Sequence, residues 1–356
     1  MKRLIFYAIA FLIGGSIGLL CYLYKPWLMI GKITSTVQIG QLKNRILVPV
    51  MINGVPCNFV WDTGSDMSLI SKSLTEKCGV VSSGKTQLNA LYVRKAQQLM
   101  HISEPVQLSV GDHNLDISFF MVDYDFRVDY DSVEIDGLIG QDIISQLQWL
   151  FDLENNSLEV SNREIGVHDK ADLTLNITSK EIAENNIIYK SAGILSINNS
   201  LKVVSFFDTG MNGKMLQSPS ESDTYISTDL LIAIPDSTHY ERITDLISVA
   251  APSSYLLGNS NYKGKNLGIE AFIADSIMLN DLPSATFLIT PEVDKYHKVP
   301  VVYVTANLMR RFGKMYYDPT CSKIELFKSP SIDSKIYSGK SIMEFCLEKF
   351  MSNKDS

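Results

Sequence analysis

The sequence predicts an all-β, two-lobed fold built from one duplicated lobe and preceded by an N-terminal transmembrane helix. Three observations lead there. Leu4 to Tyr24 are 21 consecutive residues without a charge. Beyond residue 30, short β-branched and aromatic runs alternate with turn residues. A stretch of the first half then recurs 146 residues later around a shared Asp-Thr-Gly.

The apolar run, LIFYAIAFLIGGSIGLLCYLY, is long enough to cross a bilayer, since about 20 helical residues span the hydrocarbon core. Lys2 and Arg3 precede it, and Lys25, Pro26 and Trp27 supply a charge, a helix stop and an interfacial aromatic. A cleaved signal peptide is the competing reading. However, Ala8-Ile9-Ala10 lies too early for a small-residue cleavage site, and Leu20 before Cys21 does not fit a lipoprotein signal. Residues 1–30 therefore read as a retained single-pass signal anchor in the lipid bilayer, with the soluble part on the non-cytoplasmic side. The row Ala10, Gly14, Gly18 would let two spans pack as a homodimer. Such rows are common in membrane spans by composition alone, so it is not read as a dimer signal.

The β runs follow in order: ITSTVQIG, RILVPVMI, CNFVW, PVQLSV, LDISFFMV, SLEV, GILSI, KVVSFF, ATFLIT, VPVVYV and KIELF. Asn53-Gly54, between two of them, is a strong two-residue hairpin signal. Helices are expected to be short, at Ser71 to Cys78, Asp142 to Gln148 and Asn307 to Phe312, with one more in the tail. The tail helix opens with the capping box Ser341-Ile342-Met343-Glu344.

Ile52 to Ile70 aligns without gaps with Asn198 to Leu216, and Trp149 to Asp152 corresponds to Met315 to Asp318 at an offset of 166. One β lobe is duplicated, with the boundary in the polar stretch Glu164 to Asn185. The organisation reads as anchor 1–30, first lobe 31–170, second lobe 171–330 and tail 331–356.

Charge and composition exclude several functions. With 32 basic and 39 acidic residues the net charge is −7, which offers no footprint for nucleic acid. Five cysteines and five scattered histidines show no metal-ligand spacing, so neither a metal nor another cofactor is expected. The acidic run Asp123 to Asp131 lacks the glycine and terminal glutamate of a calcium hand and reads as a solvated loop. Cys57 with Cys78, and Cys321 with Cys346, are each compatible with a bridge or with buried thiols.

Chance produces a given tripeptide in about one chain in twenty of this length, so the weight rests on two copies at matching positions. A strand delivers each Asp into a tight loop where glycine supplies backbone freedom and threonine can bond neighbouring backbone. Lobes related by a pseudo-twofold axis would bring Asp62 and Asp208 together. Two carboxylates in close contact cannot both ionise, so one serves as base and the other as acid, the pattern that aspartic proteases exemplify.

Phe59-Val60-Trp61-Asp62-Thr63-Gly64-Ser65 resembles the active-site motif of aspartic proteases of the pepsin and retropepsin superfamily. Asp136-Gly137-Leu138-Ile139-Gly140-Gln141-Asp142 is similar to the apolar-apolar-Gly segment beneath that loop in retropepsin-like enzymes. Phe206-Phe207-Asp208-Thr209-Gly210 carries the resemblance into the second lobe. The resemblance implies a bilobal pepsin-like acid protease fold with retropepsin-like lobes, acting as an endopeptidase on a peptide or protein substrate. Asp62 and Asp208 would be its catalytic pair. Thr63, Gly64, Ser65, Thr209 and Gly210 would support the loops, with Thr63 and Thr209 interlocking by hydrogen bonds between the lobes.

The chain departs from that pattern in three places. Met211 follows the second glycine, Val301 to Asn307 replaces the apolar-apolar-Gly segment, and the flap region Lys85 to Pro105 has no glycine. Tyr92 in that region is a candidate to cover the substrate, against the alternative of an ordinary strand tyrosine. The competing function is a non-catalytic peptide-binding or inhibitory module of the same fold.

Overall fold

The computed structural model describes residues 32–42, 45–91, 96–126, 135–167, 169–178, 192–197, 201–210, 230–234, 255–262, 265–279, 282–291 and 301–328. The chain there is mostly β with a few short helices. No helix among the described residues is long and apolar enough to cross a membrane. The apolar run Leu4 to Tyr24 and the capped tail lie outside them.

The first hairpin forms where its turn chemistry demands it. Asn53 (φ 50°) and Gly54 (φ 81°) both take positive φ, as a two-residue turn matched to strand twist requires. They join Arg45–Ile52 to Val55–Trp61 with Ile52 opposite Val55. Farther on, Val106, Leu108 and Val110 are buried on alternate positions of their strand, the period of two that sets one face inward. The β-rich expectation holds along the described chain.

The two halves repeat one strand arrangement. In the first, Gly137–Ile139 runs parallel to Val55–Trp61 and antiparallel to Leu69–Ile70. Leu69–Ile70 is in turn parallel to Phe120–Met121. In the second, Val301–Thr305 runs parallel to Leu201–Asp208 and antiparallel to Leu230–Ile234. Leu230–Ile234 is then parallel to Leu282–Pro291.

The glycine ahead of the apolar pair in the first half is replaced in the second. Gly137 lies opposite Phe59, and a Cβ at Gly137 would overlap the Phe59 ring. In the second half the corresponding pair is Val302 opposite Ser205. At this pair the larger side chain sits on the opposite strand in the two halves.

The halves are stitched through a shared sheet. Gln148–Asp152 pairs antiparallel with Gly313–Asp318, setting Trp149 opposite Tyr317 and Phe151 opposite Met315. Each of these strands also turns back on a hairpin partner, Ser157–Ser161 or Lys323–Lys328. The turns match in detail: Asn156 and Ser322, each four residues after the aligned Asp152 and Asp318, have φ of 50° and 52°. Trp61, Trp149, Phe151 and Tyr317 form one ring cluster, with Trp61 centred 4.8 Å from Phe151 and 5.6 Å from Tyr317. All four side chains are buried, so this is the apolar joint between the halves.

One helix is shorter than its sequence predicts. The expected Asp142 to Gln148 helix is Gln141–Ile144, and Gln148 already begins a strand. Ser145 Oγ donates to the Gln141 carbonyl at 2.6 Å, and Trp149 Nε1 donates to the Ile144 carbonyl at 2.9 Å. The Trp149 bond takes up the Ile144 carbonyl, which a continuing helix would bond to the Gln148 N–H. The other two short helices are Lys72–Lys77 and Ala306–Phe312.

Asp318 makes the joint sensitive to acid. Burial would raise its carboxyl, but hydrogen bonds from Thr320 and Cys321 outweigh that and hold it below the ordinary range. A carboxyl depressed on folding adds stability at pH above its unfolded value, and that stability is lost as pH falls through the lower folded value. Unfolding measured against pH is therefore expected to show an acid loss of stability that Asp318→Asn flattens.

Candidate active site

Asp62 follows the strand Val55–Trp61, and its backbone N–H donates to the Ile139 carbonyl at 3.0 Å. The loop then closes on the Asp62 side chain, with Gly64 N–H donating to Oδ1 at 2.9 Å. Ser65 donates its hydroxyl to the Met67 carbonyl at 2.7 Å, so that hydroxyl braces the loop. Asp208 ends the strand Leu201–Asp208 and stands opposite Thr305. Asp62 and Asp208 are both half-buried.

The structure brings the two Asp-Thr-Gly loops together. Thr63 Oγ1 donates to the Phe207 carbonyl at 2.6 Å and accepts from Thr209 N–H at 3.1 Å. Reciprocally, Thr209 Oγ1 donates to the Trp61 carbonyl at 2.7 Å and accepts from Thr63 N–H at 3.1 Å. Both threonines are buried, so water cannot replace these partners. Thr63→Val keeps the shape but removes the hydrogen bonds to the Phe207 carbonyl and from the Thr209 N–H. At about 1–3 kcal/mol for a buried group left unsatisfied, a clear drop in Tm is expected in thermal unfolding.

Each glycine fits against the opposite carboxylate. A Cβ on Gly64 would overlap the carboxylate of Asp208, and one on Gly210 would overlap that of Asp62. This reciprocal contact puts the two side chains at the same junction. Burial raises the Asp62 carboxyl above its ordinary value. The Gly64 N–H, the Arg45 charge and the N–H groups of Gly210 and Ser65 oppose that rise without cancelling it. Asp62 thus takes backbone donors from its own loop and from the facing one.

Three further residues contribute that were not predicted as site residues. Gln141 Nε2 donates to the Thr63 carbonyl at 2.8 Å, and Gln141 Oε1 accepts from Tyr317 Oη at 3.2 Å. A side chain of the first half therefore links the Asp62 loop to a strand of the second. Arg45 is the third, through its charge on Asp62. The NG turn was its sequence signal, because a hairpin centred there sets Arg45 opposite Asp62.

Other candidates fall elsewhere. Tyr92 and Met211 lie outside the described residues, although the hairpin Ser82–Leu91 with Ala96–Ser103 occupies the expected flap region. Asp125 of the acidic run accepts from Ser73 N–H at 2.8 Å at the start of the helix Lys72–Lys77. Cys57 and Cys78 are buried free thiols, and burial pushes Cys57 up to about 12, which leaves it no thiolate character. Cys346 lies outside the described residues.

Residues 48–143 match a family described as aspartyl protease. No curated protein matches the chain. Among solved structures, the chain is similar to a retropepsin-like aspartic protease from Rickettsia conorii. That similarity has 14% identity and a TM-score of 0.27, covering 37% of this chain and 93% of the other. The family match takes in the Asp62 loop, the strand Gly137–Ile139 and Gln141.

Proposed function

We propose that the protein is an aspartic endopeptidase in which Asp62 and Asp208 jointly activate a water against a peptide bond. The observation that carries this reading is the reciprocal packing of each carboxylate against the glycine of the opposite loop. The family match to residues 48–143 supports proteolysis in general.

The chemistry follows from one proton shared by two carboxyls. The ionised member takes a proton from water as the oxygen attacks the carbonyl carbon. The protonated member gives its proton to the carbonyl oxygen, yielding a tetrahedral diol. Collapse breaks the C–N bond, returns a proton to the leaving nitrogen and regenerates the singly protonated pair. The pair titrates as a unit, so neither Asp is named as the proton holder. The water is the only co-reactant, and no metal or cofactor enters the scheme.

An extended peptide would pair by backbone hydrogen bonds between the lobes and the hairpin Ser82–Leu91 with Ala96–Ser103, with alternate side chains in pockets. The apolar run Leu4 to Tyr24 would hold this body at a membrane, on the non-cytoplasmic side. The test is incubation with a library of unstructured peptides across the acidic to neutral range, with new termini read by mass spectrometry. Internal cleavage is expected. Binding of peptides with no cleavage at any pH would instead leave a non-catalytic peptide-binding or inhibitory module.

A further inference from the structure

The strand Arg45–Ile52 begins with a cation whose place is set by register. Leu47 pairs with Val60 in the antiparallel ladder, and two more steps along the same register bring Arg45 opposite Asp62. Arg45 is half-buried, so its charge is incompletely screened. Its carbonyl accepts from Arg310 Nη2 at 3.3 Å, which ties the start of the strand to the helix Ala306–Phe312 of the other half. A pair of carboxyls sharing one proton needs no cation for its chemistry, so Arg45 calls for an explanation.

We propose that Arg45 is a positioning residue: set opposite Asp62 at the start of the neighbouring strand, its guanidinium favours the singly charged Asp62–Asp208 pair. The inference rests on reading those two residues as the hydrolytic pair. Burial and Arg45 act on Asp62 in opposite directions, and each of Arg45 and Asp62 favours the charged form of the other. The other charged groups around this point come from separate elements. Asp208 reaches Gly64 from the facing loop, and Arg310 comes from the helix Ala306–Phe312. Asp142, on the helix Gln141–Ile144, is bonded to Ser68 Oγ at 2.7 Å and to Ser68 N–H at 3.1 Å. Asp136 accepts from Asn58 N–H at 2.7 Å. Among these charged groups, Arg45 is the one that the extended strand register sets opposite Asp62.

The experiment compares wild type, Arg45→Met, Arg45→Gln and Arg45→Lys, with thermal unfolding confirming that each variant is folded. The acid limb of kcat/KM is expected to move up by about 1–3 pH units in the neutral variants, the range for loss of a nearby opposite charge. Arg45→Lys is expected to restore much of the wild-type position. In parallel, the Asp62 carboxyl is titrated directly by carbon NMR, its signal assigned by difference from Asp62→Asn. This reading does not depend on turnover. An upward displacement of the midpoint in the folded neutral variants supports the electrostatic role. An unchanged midpoint overturns it, and so does a failure of lysine to rescue. If the carboxyl midpoint moves but wild type cleaves nothing, the hydrolytic reading fails while the electrostatic role of Arg45 stands.

Discussion

Asp62→Asn and Asp208→Asn are each expected to lower kcat/KM for peptide cleavage by about 10²–10⁴-fold, the usual contribution of a positioned acid or base. An amide can neither take the proton from water nor supply one to the carbonyl oxygen. The Asp62 variant carries a second signature that a structural role would not produce. Burial disfavours the charged Asp62, and the Gly64 N–H can still find an oxygen on the asparagine. At neutral pH the substitution is therefore expected to raise Tm while removing activity, since it deletes a half-buried charge that burial disfavours and keeps its shape. Peptide cleavage and thermal unfolding on the same samples read both effects. A variant that lost activity through misfolding would lower Tm instead.

Gly64→Ala and Gly210→Ala are expected to cost about 10²-fold in kcat, the scale of displacing a reacting group by about 1 Å. The new methyl of Gly210→Ala would press on the Asp62 carboxylate, and that of Gly64→Ala on Asp208. The Asp62 carboxylate cannot simply swing aside, because Gly64 N–H holds it at 2.9 Å. Overpacking of this kind destabilises by about 1–3 kcal/mol, so the variants should still fold. Alanine at Gly79 is the control, since its Cβ would meet nothing within 4 Å. That variant carries strain from its φ of 63° but should keep its turnover. Equal turnover in all three variants would show that the glycines serve only their own loops.

The sequence was most legible where chemistry is local. The Asn53-Gly54 turn, the alternating strands and the paired Asp-Thr-Gly sites each announce themselves within a few residues. The repeat also told which segments correspond, because a duplicated turn keeps its backbone demands, as Asn156 and Ser322 do with matched positive φ. Bulk that moves between strands was harder to read. Where the first half pairs Gly137 with Phe59 the second pairs Val302 with Ser205, a correspondence that only the ladder shows. Least legible were contacts between residues far apart in the chain. Nothing near Gln141 in sequence indicates that Tyr317 donates to it across the shared sheet. Arg45 lay between these cases, within reach of a register argument that starts from the turn.

If two loops supply one catalytic unit, neither Asp works without the other. A double-mutant cycle decides it: the residual cleavage rates of Asp62→Asn, Asp208→Asn and the variant carrying both. Groups that act as a unit lose their whole effect when either is removed, so the three residual rates should be nearly equal. A single variant that cleaves at the wild-type rate, or losses that multiply in the double variant, would contradict the claim.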